Sequence, residues 1–383
     1  MNFWGIRLGS IGVAVAGAIL VGLIGHAMGT TAERLIGLAG LYITLAVSLN
    51  LINGITGQFS IGHAAFYQVG AYSAGAFAMY VAKTQTYSIP LLLGSIVVGG
   101  IAAAIAGFVI GLPSLRLRGD YLAVVTLGFG EILRIIIQNT PELGKSYGMS
   151  APALRSLPLI WLLAFLCIAV CRNLLKTTHG LTFLSVREDE VAASAMGVNV
   201  TKVKVAAFVI GSAFAGMAGA LLMHLEGFVT PTSFSMDLSF IVLTMVVLGG
   251  TGSITGSVLA AITLFLLPEL LRDGPTVPLV AVIAVLVFLG IIVGMIKKLI
   301  DDHKFSYAAL APKAGIALVA AVVLGFGSSL LPALNGVQVP SANLRMVIFP
   351  VVLIVMMLLR PQGIFGHREI GLATFLRKRE VSA

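Results

Sequence analysis

Of the 383 residues, 58% are hydrophobic and only 10% charged, and the mean hydropathy is +1.05. Soluble domains carry about 25% charged residues, so a water-soluble fold of this size is excluded. The net charge of +9 sits in short loops between apolar runs, which is the charge bias of a membrane protein and speaks against a nucleic-acid partner.

Continuous apolar runs read as transmembrane helices, because about 20 residues at a rise of 1.5 Å cross a hydrocarbon core of about 30 Å. The runs do not alternate as barrel strands would, and the 44 glycines suit helices that pack backbone to backbone. The predicted fold class is therefore all-α: a polytopic transmembrane helical bundle of about 10–12 spans, with room for re-entrant or broken helices. Candidate spans are 8–28, 35–52, 60–80, 89–111, 121–138, 158–175, 206–223, 238–249, 256–271, 277–296, 314–331 and 346–359. The first reads as a retained span rather than a signal peptide, since one basic residue precedes it and no small-x-small cleavage site follows.

If all twelve cross, both termini share a side. Seventeen of the 24 Lys and Arg fall on that side, six on the other, and Arg134 near the end of a span. Positive charge marks the cytoplasmic face, so both termini, the 176–205 loop and the basic tail 360–383 are expected inside.

The first irregular stretch is NLINGITGQFSIGHAAF, where Gly54, Gly57 and Gly62 interrupt apolar runs and Asn50, Asn53, Gln58, Ser60 and His63 cluster. A second stretch, VVLGGTGSITGSVLAAI, places Gly249, Gly250, Gly252 and Gly256 between two short runs. Paired Gly-interrupted segments are a sign of broken helices whose free backbone groups line a transport pathway. Tight interhelical turns are the plainer alternative.

Between these stretches lie several weaker signals. Arg116, Arg118 and Asp120 close an inside loop and read as orientation anchors. Glu131 and Arg134 are three apart on one helix face at membrane depth, where charges pair or line a water path. Gly144-Lys145-Ser146 resembles the end of a phosphate loop, but Asn139 stands where the motif needs its first Gly. Gly250 and Gly252 imitate a dinucleotide fingerprint whose last Gly, Gly256, comes one residue late, without a βαβ unit around it. Cys167 and Cys171 read as small buried hydrophobes. Asn199-Val200-Thr201 matches a glycosylation acceptor on the wrong side of the membrane. No metal-spaced Cys/His set and no catalytic constellation is present, so neither a bound cofactor nor a resident metal is expected.

The most charged window is SVREDEVAASAMGVNVTKVKV, residues 185–205. A helix is predicted over Arg187–Met196, with Ser185 as N-cap and Glu188 completing a capping box. Glu188, Asp189 and Glu190 suit its first turns, Val191, Ala192, Ala195 and Met196 form a narrow apolar face, and Gly197 ends it. A short helix of this kind fits a groove on a soluble partner.

That window, R-E-D-E-x-A-A-x-A-M-G-V-N followed by K-x-x-A-F, resembles the cytoplasmic coupling loop of bacterial ABC-importer permeases. LAVSLNLINGITGQFSIGHAAF, LRLRGDYLAVVTLGFGEILRI, MVVLGGTGSITGSVLAA and LLRPQGIFG also match, in order, over about residues 40–272 and 344–366. Together they resemble the M-type permease of branched-chain amino-acid importers, within the branched-chain amino acid/urea permease family. The resemblance implies a single permease domain over 1–383, with 176–205 as its cytoplasmic coupling loop, in a bacterial inner membrane. It implies four kinds of partner: a second, H-type permease subunit, two cytoplasmic ATPases, a periplasmic substrate-binding protein and the bilayer. ATP would be used by the partners, and Arg187, Glu188, Asp189, Glu190, Ala192, Ala193, Met196 and Gly197 would couple to them. The substrate pathway would include Asn50, Asn53, Gln58, Ser60, His63, Gly249, Gly250 and Gly252.

Two features depart from that pattern. TPELGKSYGMSA replaces the Gly-rich stretch common after the glutamate-containing helix, and 274–343 adds what reads as an extra transmembrane hairpin. The expected function is movement of branched-chain amino acids inward. A urea or short-amide permease of the same family is the nearest alternative, and a proton-coupled secondary transporter using Glu131 or His63 is the rival of another class.

Overall fold

The computed structural model describes residues 15–23, 25, 27–81, 88–114, 120–270, 277–278 and 338–339. Two compact units divide the chain, one containing residues up to Ile262 and the other spanning Thr263–Ile364. The first is an all-α bundle. Of the second, the described residues are the last turns of one helix and a two-residue antiparallel pair, β3 (Val277–Pro278) with β4 (Gln338–Val339). Apart from Val277–Pro278, the predicted hairpin spans 277–296 and 314–331, the span 346–359 and the tail 360–383 lie outside the described residues.

In chain order the helices are α1 (residues 15–23), α2 (Thr30–Asn50), α3 (His63–Ala76), α4 (Ile89–Ser114), α5 (Asp120–Asn139) and α6 (Leu157–Leu175). There follow α7 (Thr178–Glu188), α8 (Glu190–Ala195), α9 (Val200–Glu226), α10 (Met236–Gly249) and α11 (Ile254–Leu270). Single π-helical turns extend α2 over Leu51–Ile55 and α3 over Phe77–Val81. Among the described residues, six segments are long and apolar enough to cross a membrane: Thr30–Ile55, Ile89–Leu112, Tyr121–Asn139, Leu157–Leu175, Val200–Glu226 and Pro231–Gly249.

The core sits where α2, α3 and α4 close around α9, the longest of the described helices. Lipid is as apolar as any side chain, so close van der Waals packing holds such helices together. The sequence provides for it with small residues. A Cβ on Gly216 of α9 would run into Ala103 and the Gly99 backbone of α4, and one on Gly70 of α3 would run into Gly216. Three backbones therefore meet at one level. The second half of α2, Leu41 to Asn50, is almost entirely buried between α6, α9 and α10.

Local signals set several helix ends. Pro158 stands in the first turn of α6, where its missing N–H costs nothing. Asn199 caps α9 by accepting from Lys202 N, and Gly227, at φ 72°, closes it in a left-handed turn. A short strand pair, β1 (Met149–Ser150) with β2 (Phe228–Val229), ties the α5–α6 connection to the end of α9.

The charged window differs from its prediction. It is two helices, not one over Arg187–Met196, and they break at Asp189, which is extended at φ −156°. The Asp189 carboxylate accepts from Val191 N at 2.8 Å and Ala192 N at 3.1 Å. A charged acceptor makes a stronger cap than a hydroxyl, so α8 starts there. Ser185 is not a cap; it lies inside α7 and donates back to Thr182 O. Glu188 closes no capping box and pairs with its neighbour Arg187 instead. The following helix also starts earlier than the predicted 206, because α9 already includes Lys202 and Lys204.

Candidate functional site

Both Gly-rich stretches are breaks in helices, and the fold brings them into contact. In the first, the α-helical register of α2 ends at Asn50, one π-turn follows, and residues 56–62 are non-helical before α3 begins at His63. π-turns are frequent at functional positions. In the second, α10 stops at Gly249, and Gly250 and Gly252 adopt φ values of 115° and 94° that only glycine accepts readily. Ser253 Oγ accepts from Gly256 N and so restarts the chain as α11.

Asn50 joins the two breaks. Its Nδ2 donates to Ser253 O at 3.0 Å and its Oδ1 accepts from Gly252 N at 2.8 Å. One amide thus takes the Gly252 N–H that the break leaves over and adds a bond to Ser253 O, which also accepts from Ser257 N. Gly54 makes this approach possible, since a Cβ there would overlap Asn50 Oδ1 and Gly252 N. Asn53, one turn on, does the same inside the first break: Nδ2 donates to Ser60 O at 2.9 Å and Oδ1 accepts from Ser60 N at 3.2 Å.

Neighbouring helices hold the non-helical stretch and the first turn of α3. Ile61 N donates to Thr126 Oγ1 of α5 at 3.1 Å, and Ala64 N to Ser239 Oγ of α10 at 3.2 Å. Ser48 Oγ and His63 Nε2 are 2.8 Å apart, and Gln58 Nε2 donates to Lys204 O of α9 at 3.3 Å. Gln58, Ser60 and His63 are all buried, yet Gln58 Oε1, Ser60 Oγ and His63 Nδ1 have no hydrogen-bond partner within the described residues. The polar atoms of Asn50 and Asn53 are committed to backbone; those three are not.

The charged loop reaches the same place. Arg187, the penultimate residue of α7, donates through Nη1 to Gly54 O at 3.3 Å and packs its stem over Gly57. Its other side binds Glu188 Oε1. Glu190 opens α8 and forms an ion pair at 2.5 Å with Lys204, whose side chain is only 5% exposed. Lys204 is the residue that pattern reading missed as a site: a lysine in a charged window looks solvated, and its partner lies fourteen positions away. Beyond this anchor α8 projects outward. Ala193 is buried, whereas Val191, Ala192, Ala195, Met196 and Gly197 are exposed, Met196 to 85%. Gly197 is at φ 85° and ends the element.

Of the remaining candidates, Cys167 and Cys171 are buried in α6, and Cys167 Sγ donates weakly to Thr44 O. Glu131 and Arg134 pair along α5. Gly144, Lys145 and Ser146 lie in two short 3-10 turns after α5.

The geometry is that of a helical membrane protein with two abutting helix breaks, one of them bonded to an exposed charged segment. A family model described as branched-chain amino acid transport system / permease component matches residues 31–296. The high-affinity branched-chain amino acid transport system permease protein LivM of Salmonella typhimurium is 36% identical over 269 residues, covering 61% of this chain and 62% of that protein. LivM of Escherichia coli K12 matches to the same extent. The high-affinity branched-chain amino acid transport system permease protein LivH of Escherichia coli K12 is 27% identical over 252 residues, covering 59% of this chain and 80% of that protein. The match therefore spans less than two thirds of the length of the LivM relatives. No solved structure matches the chain. On the extent of the family match, which takes in both breaks and the loop between them, the chain belongs to the family of branched-chain amino acid transport system permease components.

Proposed function

We propose that this chain is the membrane subunit of an ATP-driven importer that moves branched-chain, apolar amino acids into the cytoplasm. Separate ATPase subunits dock on the 185–205 segment, an H-type permease pairs with the chain, and a periplasmic binding protein delivers the cargo. Both termini and the α7–α8 segment face the cytoplasm, and the chain hydrolyses no ATP itself.

The observation that carries this reading is the path from α8 to the helix breaks. Besides Ser194, the exposed side chains of α8 and its C-cap are apolar, Val191, Ala192, Ala195 and Met196, as a face seated in a partner's groove would be. Asp189 caps that helix, the Glu190–Lys204 pair fixes it to α9, and Arg187 passes directly to Gly54. Movement of the docked partner thus has one short route into the bundle. It reaches the stretch where backbone is free of helical bonding and where Gln58, Ser60 and His63 keep unpaired polar atoms.

The test is reconstitution of the chain with its second permease, ATPases and binding protein in liposomes, with uptake of labelled leucine and labelled urea followed. ATP-dependent leucine uptake supports the reading. Leucine uptake that needs no ATP and collapses with the proton gradient would replace it with secondary transport, and uptake of urea alone would overturn the cargo.

A further inference from the structure

The candidate spans do not meet their surroundings alike. In α5 only 22% of the most apolar window is buried, against at least 33% in each of the other five. Its exposed side is a stripe of Tyr121, Val124, Ile132, Ile135 and Ile136 with Gly128 at the centre. A Cβ on Gly128 would meet nothing within 4 Å, whereas each glycine inside α4 and α9 has another element against it. A helical glycine costs about 1 kcal/mol relative to alanine, and a close backbone approach is what recovers that cost in a membrane. One edge of the stripe is charged. Glu131 lies about 16 Å along α5 at 1.5 Å per residue, near the helix middle. Arg134 donates to its Oε2 through Nε at 2.9 Å, and the two side chains remain 26% and 27% exposed. Hydrocarbon solvates neither charge, so groups at this depth face protein or water. The cleft beside Glu131, between α3, α5 and α10, is about 10 Å³, room for one water. By contrast, the exposed stripe of α4, with Val97, Ile101, Ile105 and Leu112, is bulky, apolar and free of glycine and charge, as a lipid-facing side is.

We propose that this face of α5 seats the second permease subunit, whose backbone approaches at Gly128 and whose polar side chains complete the surroundings of the Glu131–Arg134 pair. The proposal rests on the reading above that the chain works beside a second permease, and it names the surface where the two meet. Lipid is the wrong occupant, because it offers the pair no hydrogen bond and leaves the gap at Gly128 without a purpose. The rest of this chain is poorly suited too. The apolar stretches 277–296 and 346–359 contain no polar side chain, and 314–331 has only Ser328 and Ser329, near its end. Helix α1 is already seated on α6, with Gly17 against Phe165 and Gly22 against Pro158. A second permease of the same family carries its own counterpart of α5, and subunits built on one plan meet through like faces about a two-fold axis. The face is also ready for packing. Val124, Ile132, Ile135 and Ile136 are branched at Cβ and nearly fixed at χ1 in a helix, so seating them against a partner costs little side-chain entropy.

Photocrosslinking in the assembled transporter reads the contact directly. A benzophenone side chain is placed at Ile132 or Ile136 on α5, and at Val97 or Ile101 on α4, with a different tag on each subunit. The α5 positions are expected to crosslink to the second permease, and the α4 positions to lipid alone. Gly128→Leu fills the gap and should lower the amount of second permease recovered with the tagged chain at least about tenfold. The double variant Glu131→Leu/Arg134→Leu should do the same, whereas a helix facing lipid would gain from that change. Unchanged recovery in both variants overturns the surface. So do crosslinks to the second permease from α4 alone, or crosslinks from α5 to another part of this chain or to a second copy of it. The crosslinking needs neither substitution, so it decides by itself if a variant fails to insert. If the assembly takes up leucine with ATP while its crosslinks arise elsewhere, this surface alone is lost. If no second permease accompanies the chain, the pairing in the transport reading falls with it.

Discussion

Arg187 Nη1 lies 3.3 Å from the carbonyl oxygen of Gly54, although 133 positions separate them in the chain. One end of this bond belongs to the last turn of α7, next to the exposed helix α8; the other is a π-turn within a broken membrane helix. A guanidinium suits the place because it binds the Gly54 carbonyl and the Glu188 carboxylate at once. Arg187→Ala should leave the chain inserted and folded, since the side chain is at the edge of the bundle, yet lower transport at least about tenfold with ATP hydrolysis continuing. Arg187→Lys should restore little, because a point charge cannot make both contacts. Uptake and hydrolysis measured on the same liposomes check it.

Asn50 governs stability more than coupling. Asn50→Ala takes from Gly252 N the acceptor it has here, at a cost of about 1–3 kcal/mol, while Ser253 O keeps its bonds from Ser257 N and Oγ. Asn50→Asp keeps the acceptor for Gly252 N, loses the donor to Ser253 O and adds a buried charge, so it should be no milder. Thermal unfolding of the detergent-solubilised protein should show both variants well below the parent.

The Glu190–Lys204 pair predicts an asymmetry. Lys204 is 5% exposed and Glu190 37%. Removing the glutamate leaves a buried ammonium alone, whereas removing the lysine leaves a carboxylate that water reaches. Glu190→Gln should therefore destabilise more than Lys204→Met, and the double variant should recover much of the loss. Denaturation midpoints for the three variants decide this; equal single effects would contradict it.

At the start of α8, Asp189→Ala removes the cap on Val191 N and Ala192 N and should cost about 1 kcal/mol locally. Hydrogen exchange of residues 190–196 should quicken, while exchange in α9 stays as in the parent.

Much of this structure is legible in the sequence, and the rest is not for identifiable reasons. Hydropathy places α4, α5 and α6 almost to the residue, because a continuous apolar run has one reading in a membrane chain. The two breaks are also visible, since Gly54, Gly57, Gly250 and Gly252 interrupt such runs. Their contact is not, because Asn50 meets Gly252 and Ser253 across 202 and 203 positions and nothing local records it. The division at Asp189 was missed because two caps compete there, and the choice turns on Ser185 having a backbone partner of its own in α7. Lys204 looked solvated because its partner Glu190 belongs to another helix. The Glu131–Arg134 pair, by contrast, follows from spacing alone.

The central claim, that α8 receives mechanical work and Arg187 passes it to the helix breaks, is tested most directly by the ratio of ATP hydrolysed to leucine taken up in the reconstituted assembly. Ala192 is exposed on α8, so Ala192→Arg should block a docking groove without disturbing the fold. The account predicts that Ala192→Arg and Arg187→Ala each raise the ratio at least about tenfold, through lost uptake rather than faster hydrolysis. A wild-type ratio in both variants would contradict it.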